Sequence, residues 1–265
     1  RWAGWGDHRH PIHFSGDASS TWEMLKFQVP YTTTAANVGC FFWSHDMGGF
    51  VGCDDPEKYA RWLQFGAFSA AMRLHGVGAD RRPWTWPEWV QPAMRRTFEW
   101  RSCLFPYTYS AAARSCRESV PFIRAMYVDH PTLEAAYENP QQYLYGESML
   151  VAPVASPGTG ERRNARQAVM LPEGTWYHWL TGERLDGPCE RLVSADIEEM
   201  PVYVRAGTPI PMQPYRLRPA GAALERLIVR CFPPADDGAG VFRLIEDDGE
   251  TDAYAAGERA ETELR

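Results

Sequence analysis

A chain of 265 residues, 45% of them hydrophobic and 23% charged, can bury the core of one large or two smaller domains. Its formal net charge of -7 argues against nucleic acid or an anionic membrane surface as a partner, because both favour clustered Lys and Arg. No apolar run approaches the roughly 18 residues that indicate a membrane-spanning helix. Neutral partners are favoured, and the cellular compartment stays open.

The first part of the chain alternates apolar strand patterns with helical patterns. Buried strands are predicted at Ile12–Phe14 and Val38–Trp43, and a polar, glycine-containing loop follows each of them. The predicted helices are Trp22–Ala35, Pro56–Phe65 and Pro92–Ser115. Pro106 is expected to kink the last of these helices. A βα repeat of this kind is typical of a parallel sheet or a barrel.

Beyond residue 145 the predicted strands follow one another closely, with turn signals between them. They are Ser148–Val154, Ala168–Leu171, Thr175–Leu180, Arg191–Val193 and Val202–Arg205. That spacing favours a β-sandwich. A stretch rich in Pro and Gly, Pro209–Gly221, precedes two more predicted strands, Leu224–Cys231 and Val241–Ile245, so a further β-domain is expected to begin there.

Polar and aromatic side chains follow three strand patterns of the first part. Asp17 ends the string HFSGD, Asp46 and Phe50 lie in FFWSHDMGGF, and AAMRLHG carries Arg73 and His75. Because the carboxyl ends of parallel strands meet at one edge of a sheet, these side chains are expected to line one mouth. Taken singly, they also fit a turn residue, a loop support and an internal ion pair. Taken together, they predict a pocket for a neutral, hydroxyl-rich substrate.

Seven strings along the chain resemble one known family. They are FSGD with the following SSTW, SHDMGGF, YARWLQFGAFSAAMRLHG, RSCLFPYTYSAA, GESMLVAPV, LPEGTWYHWLTGE and YVRAGTPIPMQ. In content, order and spacing they resemble glycoside hydrolase family 31, the α-glucosidase and α-xylosidase family. The resemblance extends over essentially the whole chain.

The resemblance implies a two-carboxylate mechanism in which this chain supplies one carboxylate. Asp17 resembles the general acid/base that protonates the departing glycosidic oxygen and later activates water. The family's mechanism is retaining, so it needs a second carboxylate about 5 to 5.5 Å away as nucleophile. No string between Arg1 and Arg265 matches the family's nucleophile string, which is expected upstream. The chain by itself is therefore expected to be inactive.

The resemblance also implies which residues contact the sugar. Six residues are implied to bind or orient it: Arg1, Phe14, Asp46, Phe50, Arg73 and His75. Arg1 and His75 would hydrogen-bond sugar hydroxyls, and Asp46, with Arg73 in its vicinity, would orient Arg1. Phe14 and Phe50 would form aromatic walls of the pocket. No metal or organic cofactor is implied, because two carboxylates suffice for the reaction.

The fold implied by the resemblance is α/β. It consists of the C-terminal part of a (β/α)8 TIM barrel at residues 1–144, a proximal β-sandwich domain at 145–216, and the truncated start of a distal β-domain at 217–265. The implied substrate is an oligosaccharide or glycoside, and the oligomeric state stays open.

The implied function is an α-glucosidase that cleaves terminal α-linked glucosyl residues. An α-xylosidase, or another α-glycosidase or transglycosylase of the same family, is the alternative. A carbohydrate-binding barrel without the reaction represents a different class. An aldolase-type barrel would need a Lys for a Schiff base, and the chain contains only Lys26 and Lys58, both in predicted helical stretches.

Overall fold

Three parallel strands and the helices between them form the first part of the described chain. The structure is a computed structural model, and it describes residues 12–220, 224–235, 238 and 240–265. The strands are β1 (Ile12–Phe14), β2 (Phe42–Asp46) and β3 (Ala71–Arg73), in the order β1-β2-β3. Helix α1 (Trp22–Asn37) connects the first two strands and α2 (Pro56–Ala67) connects the last two. This part of the fold is mixed α/β.

Side-chain caps define where α1 and α2 begin. The Thr21 hydroxyl accepts a hydrogen bond from the Met24 amide at 3.1 Å, and Asp55 accepts from the Glu57 amide at 2.9 Å. Asp55 also accepts from the indole of Trp22 at 3.1 Å, so the starts of the two helices are joined. These caps explain why the predicted helix starts, Trp22 and Pro56, are confirmed.

Two predicted elements have different bounds in the structure. The strand predicted at Val38–Trp43 starts later, at Phe42, because α1 continues to Asn37 and Gly39 then turns the chain with a φ of 86°. The single kinked helix predicted at Pro92–Ser115 is two helices, α3 (Gln91–Cys103) and α4 (Phe105–Glu118). Pro106 lacks an amide hydrogen and lies at the start of α4, where none is needed.

The second part of the described chain contains an antiparallel sheet of six strands. They are β4 (Ile123–Ala125), β5 (Tyr143–Tyr145), β6 (Met149–Val151), β7 (Ala165–His178), β8 (Arg184–Ala195) and β9 (Val202–Arg205). Their order is β4-β5-β6-β9-β7-β8. Two short helices, α5 (Met126–Asp129) and α6 (Ala135–Glu138), separate β4 from β5. The predicted domain boundary after residue 144 stays a prediction.

Strand β7 joins two segments that the sequence pattern separates. The predicted strands Ala168–Leu171 and Thr175–Leu180 fall in one long strand, which ends at His178, and its register against β8 shifts between Leu171 and Gly174. The Pro and Gly of this segment therefore mark an irregularity within the strand and not a turn between strands.

Two antiparallel pairs complete the part of the chain that the structure describes. Strand β10 (Ile210–Met212) pairs with β11 (Ile228–Arg230), and β12 (Phe242–Glu246) pairs with β13 (Ala260–Leu264). Among the described residues, no helix combines the length and the apolar character needed to cross a bilayer.

Helix α2 is buried on all sides, and its charged residues link the two parts of the fold. Every residue from Glu57 to Ala67 is buried, including Arg61. The Arg61 guanidinium donates hydrogen bonds to four carbonyl oxygens at 2.8 to 3.1 Å: those of Arg163, Ala195, Asp196 and Glu199. Burial lowers the pKa of Arg61 to about 10. The cation is thus solvated by the backbone next to β7 and β8 instead of by water.

Candidate active site

The carboxyl ends of β1, β2 and β3 lie side by side at one edge of the parallel sheet. In the strand register Phe14 pairs with Ser44, and Asp46 pairs with Arg73. Residues that are far apart in the sequence are thereby brought to one edge, as the parallel order requires. This edge carries the side chains from β1 to β3 that were predicted to line one mouth.

The segments that follow the strands continue this contact beyond the sheet. We call residues 15–21, 47–52 and 74–78 the rim loops. The Phe50 amide donates to the Ala18 carbonyl at 2.7 Å, and the Val77 amide donates to the Phe50 carbonyl at 2.7 Å. Asp17 precedes Ala18, and His75 lies in the third loop. The backbone thus holds the segments with Asp17, Phe50 and His75 next to one another.

Gly49 allows the first two rim loops to approach this closely. Its φ is 79°, which favours Gly, and a Cβ atom there would lie 2.8 Å from the backbone nitrogen of Ser20. Any side chain at this position would push the loop after β2 away from the loop that carries Asp17.

A buried carboxylate, an arginine and an aromatic ring form one cluster at this edge. Asp46 is 1% exposed, and the guanidinium of Arg73 donates a hydrogen bond to its Oδ1 atom. The same guanidinium lies over the Phe14 ring, 4.8 Å from its centroid, which is cation–π distance. The structure therefore brings together three of the residues predicted to bind the sugar.

A second cluster contains the other two described candidates for sugar contacts. The rings of Phe50 and His75 have centroids 5.4 Å apart and an interplanar angle of 41°. His75 and Asp17 are exposed and Phe50 is half-buried, so all three are accessible from the rim. Arg1 lies outside the described residues. The roles of all seven candidates stay predictions.

Asp46 has one oxygen available for a further donor. Its Oδ2 atom is buried and has no hydrogen-bond partner among the residues that the structure describes. A buried carboxylate oxygen without a partner is costly, so this position suits a residue that orients another cationic or hydroxyl group. The predicted partner, Arg1, is not among the described residues.

His45, beside Asp46, is a structural residue. Its Nδ1 accepts from the indole of Trp62 at 2.9 Å, so the ring hydrogen is on Nε2, which lies 2.9 Å from the Ser69 hydroxyl. Burial lowers the pKa of His45 to about 3. The ring is therefore neutral near pH 7, and both its nitrogens are occupied behind the site.

We expect Arg73→Met to destabilise the protein by about 2 kcal/mol, because it leaves the Asp46 carboxylate buried without its charged partner. Removing one member of a fully buried pair costs about 3 to 5 kcal/mol. The Arg73 side chain is 45% exposed, so solvent screens the pair and reduces that loss. Chemical denaturation of the complete gene product measures the change.

Two further variants give the controls for Arg73→Met. Replacing Arg82, whose pair with Asp80 lies at the surface, should leave the unfolding midpoint nearly unchanged. The double variant Arg73→Met, Asp46→Asn should recover most of the lost stability, since the buried charge is gone as well. A double variant no more stable than Arg73→Met would show that the pair is not the cause.

Two buried cations contact the rim loops, and neither was predicted from the sequence as a site residue. Lys58 and Arg81 are 5% and 8% exposed, respectively. Lys58 donates to the Ser20 carbonyl at 2.7 Å, so its amine is already engaged, which argues against the Schiff-base role of an aldolase. The one available signal was Lys58 itself, a charged residue in the apolar helix pattern of α2.

The described part of the chain offers no cluster of three or more His, Cys, Asp or Glu side chains that could hold a metal ion. The chemistry available at the rim is that of carboxylates, a histidine, an arginine and aromatic rings. Such groups can protonate an oxygen, hydrogen-bond hydroxyls and pack against the face of a sugar.

The comparison with protein families decides which family this site belongs to. Residues 1–111 match the glycosyl hydrolases family 31 TIM-barrel domain, and residues 119–210 match the glycosyl hydrolase family 31 C-terminal domain. The chain belongs to glycoside hydrolase family 31. The predicted resemblance is thereby confirmed, and the two family 31 domains together account for most of the chain.

Known enzymes have sequences and folds similar to nearly all of this chain. Alpha-glucosidase 2 of Bacillus thermoamyloliquefaciens is 29% identical over 96% of it, and an alpha-xylosidase of Saccharolobus solfataricus is 30% identical over 95%. The match to a family 31 dextranase from Flavobacterium johnsoniae, complexed with isomaltotriose, spans 94% of this chain and 32% of the dextranase chain. Its TM-score is 0.86, and the sequence identity is 28%. The match to a family 31 alpha-xylosidase from Xanthomonas citri spans 95% of this chain and 28% of the xylosidase chain. Its TM-score is 0.85, and the sequence identity is 33%.

The chain spans about a third of the length of the curated relatives it matches, 32% of the Bacillus enzyme and 34% of the Saccharolobus enzyme. The matched third contains the rim described above. The remaining two thirds of those enzymes have no counterpart in these 265 residues.

Proposed function

We propose that this chain is part of a retaining α-glycosidase of family 31, with Asp17 as the general acid/base. The observation that carries the proposal is the position of Asp17 in the first of three rim loops joined by backbone hydrogen bonds. The same rim carries the Asp46 and Arg73 pair and the two rings of Phe50 and His75. An acid beside hydrogen-bonding and aromatic groups suits protonation of a glycosidic oxygen.

The proposed reaction has two steps that use the same carboxyl group, first as an acid and then as a base. In the first, the Asp17 carboxyl gives its proton to the glycosidic oxygen, the bond from that oxygen to the anomeric carbon breaks, and a second carboxylate forms a bond to the carbon. In the second, the Asp17 carboxylate takes a proton from water, which attacks that carbon and releases the sugar. The second carboxylate lies outside these 265 residues in our proposal, since the relatives are about three times as long.

The proposed architecture follows from the same reasoning. The three parallel strands with intervening helices form the C-terminal part of a (β/α)8 barrel, within residues 1–144. Strands β6 to β9 of the antiparallel sheet form a β-sandwich domain within 145–216, to which β4 and β5 are joined from the preceding segment, and 217–265 begin a second β-domain. The match of residues 1–111 to a TIM-barrel domain supports the first assignment. A barrel needs partners for the outer edges of β1 and β3, so this portion is expected to be inactive alone.

Terminal α-linked glucosyl residues are the proposed substrate, and α-xylosides are the alternative. The similar proteins include an α-glucosidase, and they include a dextranase whose structure contains isomaltotriose. Both favour glucose. Two of the similar proteins are α-xylosidases, which keeps xylose as the second candidate.

The proposal is tested on the complete gene product with aryl α-glucoside and aryl α-xyloside. We expect kcat/KM to be higher for the glucoside, and proton NMR of the first product to show the α-anomer, as double displacement requires. Initial release of the β-anomer would refute the retaining mechanism. A preference for the xyloside would select the second candidate, and sugar binding without turnover would select a carbohydrate-binding protein.

A further inference from the structure

Two buried cations lie behind the rim and contact the backbone of its loops. Lys58 is in the first turn of α2, and Arg81 follows the third rim loop. A buried ammonium or guanidinium group is stable only when donors and charge are satisfied by the protein. Here carbonyl oxygens of the rim loops supply that solvation, so the position of each cation is tied to the position of a loop.

Lys58 contacts the loop that carries the acid. Its Nζ donates to the carbonyl of Ser20, three residues after Asp17, at 2.7 Å. The same Nζ lies 3.8 Å from the exposed Asp54 carboxylate. The Ser20 amide in turn donates to the Val51 carbonyl at 2.9 Å. The first rim loop is therefore held between the start of α2 and the second rim loop.

Arg81 contacts the two loops that carry the aromatic pair. Its Nη2 donates to the Gly49 carbonyl at 2.7 Å and to the Phe50 carbonyl at 3.4 Å, and its Nε donates to the His75 carbonyl at 3.5 Å. A Cβ atom on Gly76 would lie 2.3 Å from Nη2, so the third loop passes this cation as closely as a backbone can. The hydroxyl of Tyr59, on α2, donates to the Arg81 carbonyl at 2.5 Å.

We propose that Lys58 and Arg81 are positioning residues that control separate parts of the site. Lys58 sets the position of the acid loop, and Arg81 sets the position of the wall formed by Phe50 and His75. Proton transfer requires alignment with the glycosidic oxygen in the transition state, so a displaced acid lowers kcat. A wall that contacts the sugar in both ground and transition state contributes mainly to KM. This inference rests on the proposed function.

The test compares Lys58→Met and Arg81→Met in the complete gene product. We expect Lys58→Met to lower kcat about tenfold with KM changed less than about twofold, and Arg81→Met to raise KM about tenfold with a smaller change in kcat. The loss in Lys58→Met should be larger for maltose than for an aryl glucoside with an acidic phenol. A good leaving group needs less help from the acid, whereas a general loss of structure affects both substrates equally.

Matched controls separate positioning from a general effect of losing a cation. Lys26→Met removes the other lysine, which is exposed on α1, and Arg95→Met removes an exposed arginine of α3. Both should leave kcat and KM unchanged. If Lys58→Met does not fold, Lys58→Arg takes its place, and if Arg81→Met does not fold, Arg81→Lys takes its place. The change in kcat or KM is then expected in the same direction at about threefold.

The outcomes distinguish this inference from the proposed function. A wild-type protein without glycosidase activity refutes the proposed function and, with it, this inference. If the wild type is active and both variants show the same changes in kcat and KM, or no changes, only the positioning roles are refuted. A split in the expected directions, with the dependence on the leaving group, supports them.

Discussion

Asp17→Asn is expected to lower kcat on an oligosaccharide by about 10²- to 10⁴-fold in the complete gene product, the range that general acid–base catalysis contributes. The amide has the shape of the carboxyl group but can neither give a proton to the glycosidic oxygen nor accept one from water. Because the rim loop is held by backbone hydrogen bonds of Ala18 and Ser20, the replacement should leave the fold intact. Steady-state kinetics and the melting temperature together measure both effects.

The leaving group and the nucleophile show whether Asp17 acts through proton transfer. In the variant, the rate of the first step should fall less for an aryl glycoside with an acidic phenol than for maltose, since the phenol oxygen departs without protonation. Azide should accelerate turnover of the variant, because an anionic nucleophile needs no base. Asp252→Asn, at an exposed acid far along the chain, is the control and should behave as wild type. Equal losses on both substrates, without azide rescue, would reject Asp17 as the acid/base.

Arg61→Met is expected to reduce the free energy of unfolding by about 4 kcal/mol or more. The methionine fills a similar volume but leaves four carbonyl oxygens without their donor, two of them, on Ala195 and Asp196, in fully buried hydrogen bonds. Each buried acceptor that loses its partner costs about 1 to 3 kcal/mol, and removal of a buried cation returns part of that loss. Denaturant unfolding of the complete gene product measures the difference.

Arg162→Met is the matched control for Arg61→Met. Arg162 pairs with the buried Asp196, but the Arg162 side chain is 72% exposed and Asp196 keeps the hydrogen bond from the Glu198 amide at 2.8 Å, so Arg162→Met should be less destabilising than Arg61→Met. Arg61→Lys should fall between wild type and Arg61→Met, because an ammonium reaches fewer of the four carbonyls. Similar losses for Arg61→Met and Arg162→Met would mean that the buried guanidinium does not hold α2 to the antiparallel part.

Local patterns in the sequence predicted the starts of α1 and α2 correctly. Thr21 before Trp22 and Asp55 before Pro56 are capping residues, and a cap acts within one turn of helix, so its effect is visible in a short stretch. Element ends were harder to predict. The end of α1 and the division between α3 and α4 depend on packing with elements distant in the chain.

The candidate site shows the same division between local and distant information. The strings SGD, SHDMGGF and AMRLHG identify the side chains, and the parallel order of the strands is enough to expect them at one edge. The contacts between them could not be predicted. That Arg73 pairs with Asp46 and covers Phe14 depends on the register of β2 against both neighbouring strands.

The sequence by itself determined the family, the alternation of strands and helices, and the residues that carry the proposed chemistry, because each of these is encoded in short strings and local periodicity. Only the tertiary structure decided what the buried cations Lys58, Arg61 and Arg81 contact. Their partners are mostly carbonyl oxygens, which every residue has, so no sequence pattern distinguishes them. A buried charge must be solvated by whatever the fold places around it, and that depends on the assembled chain.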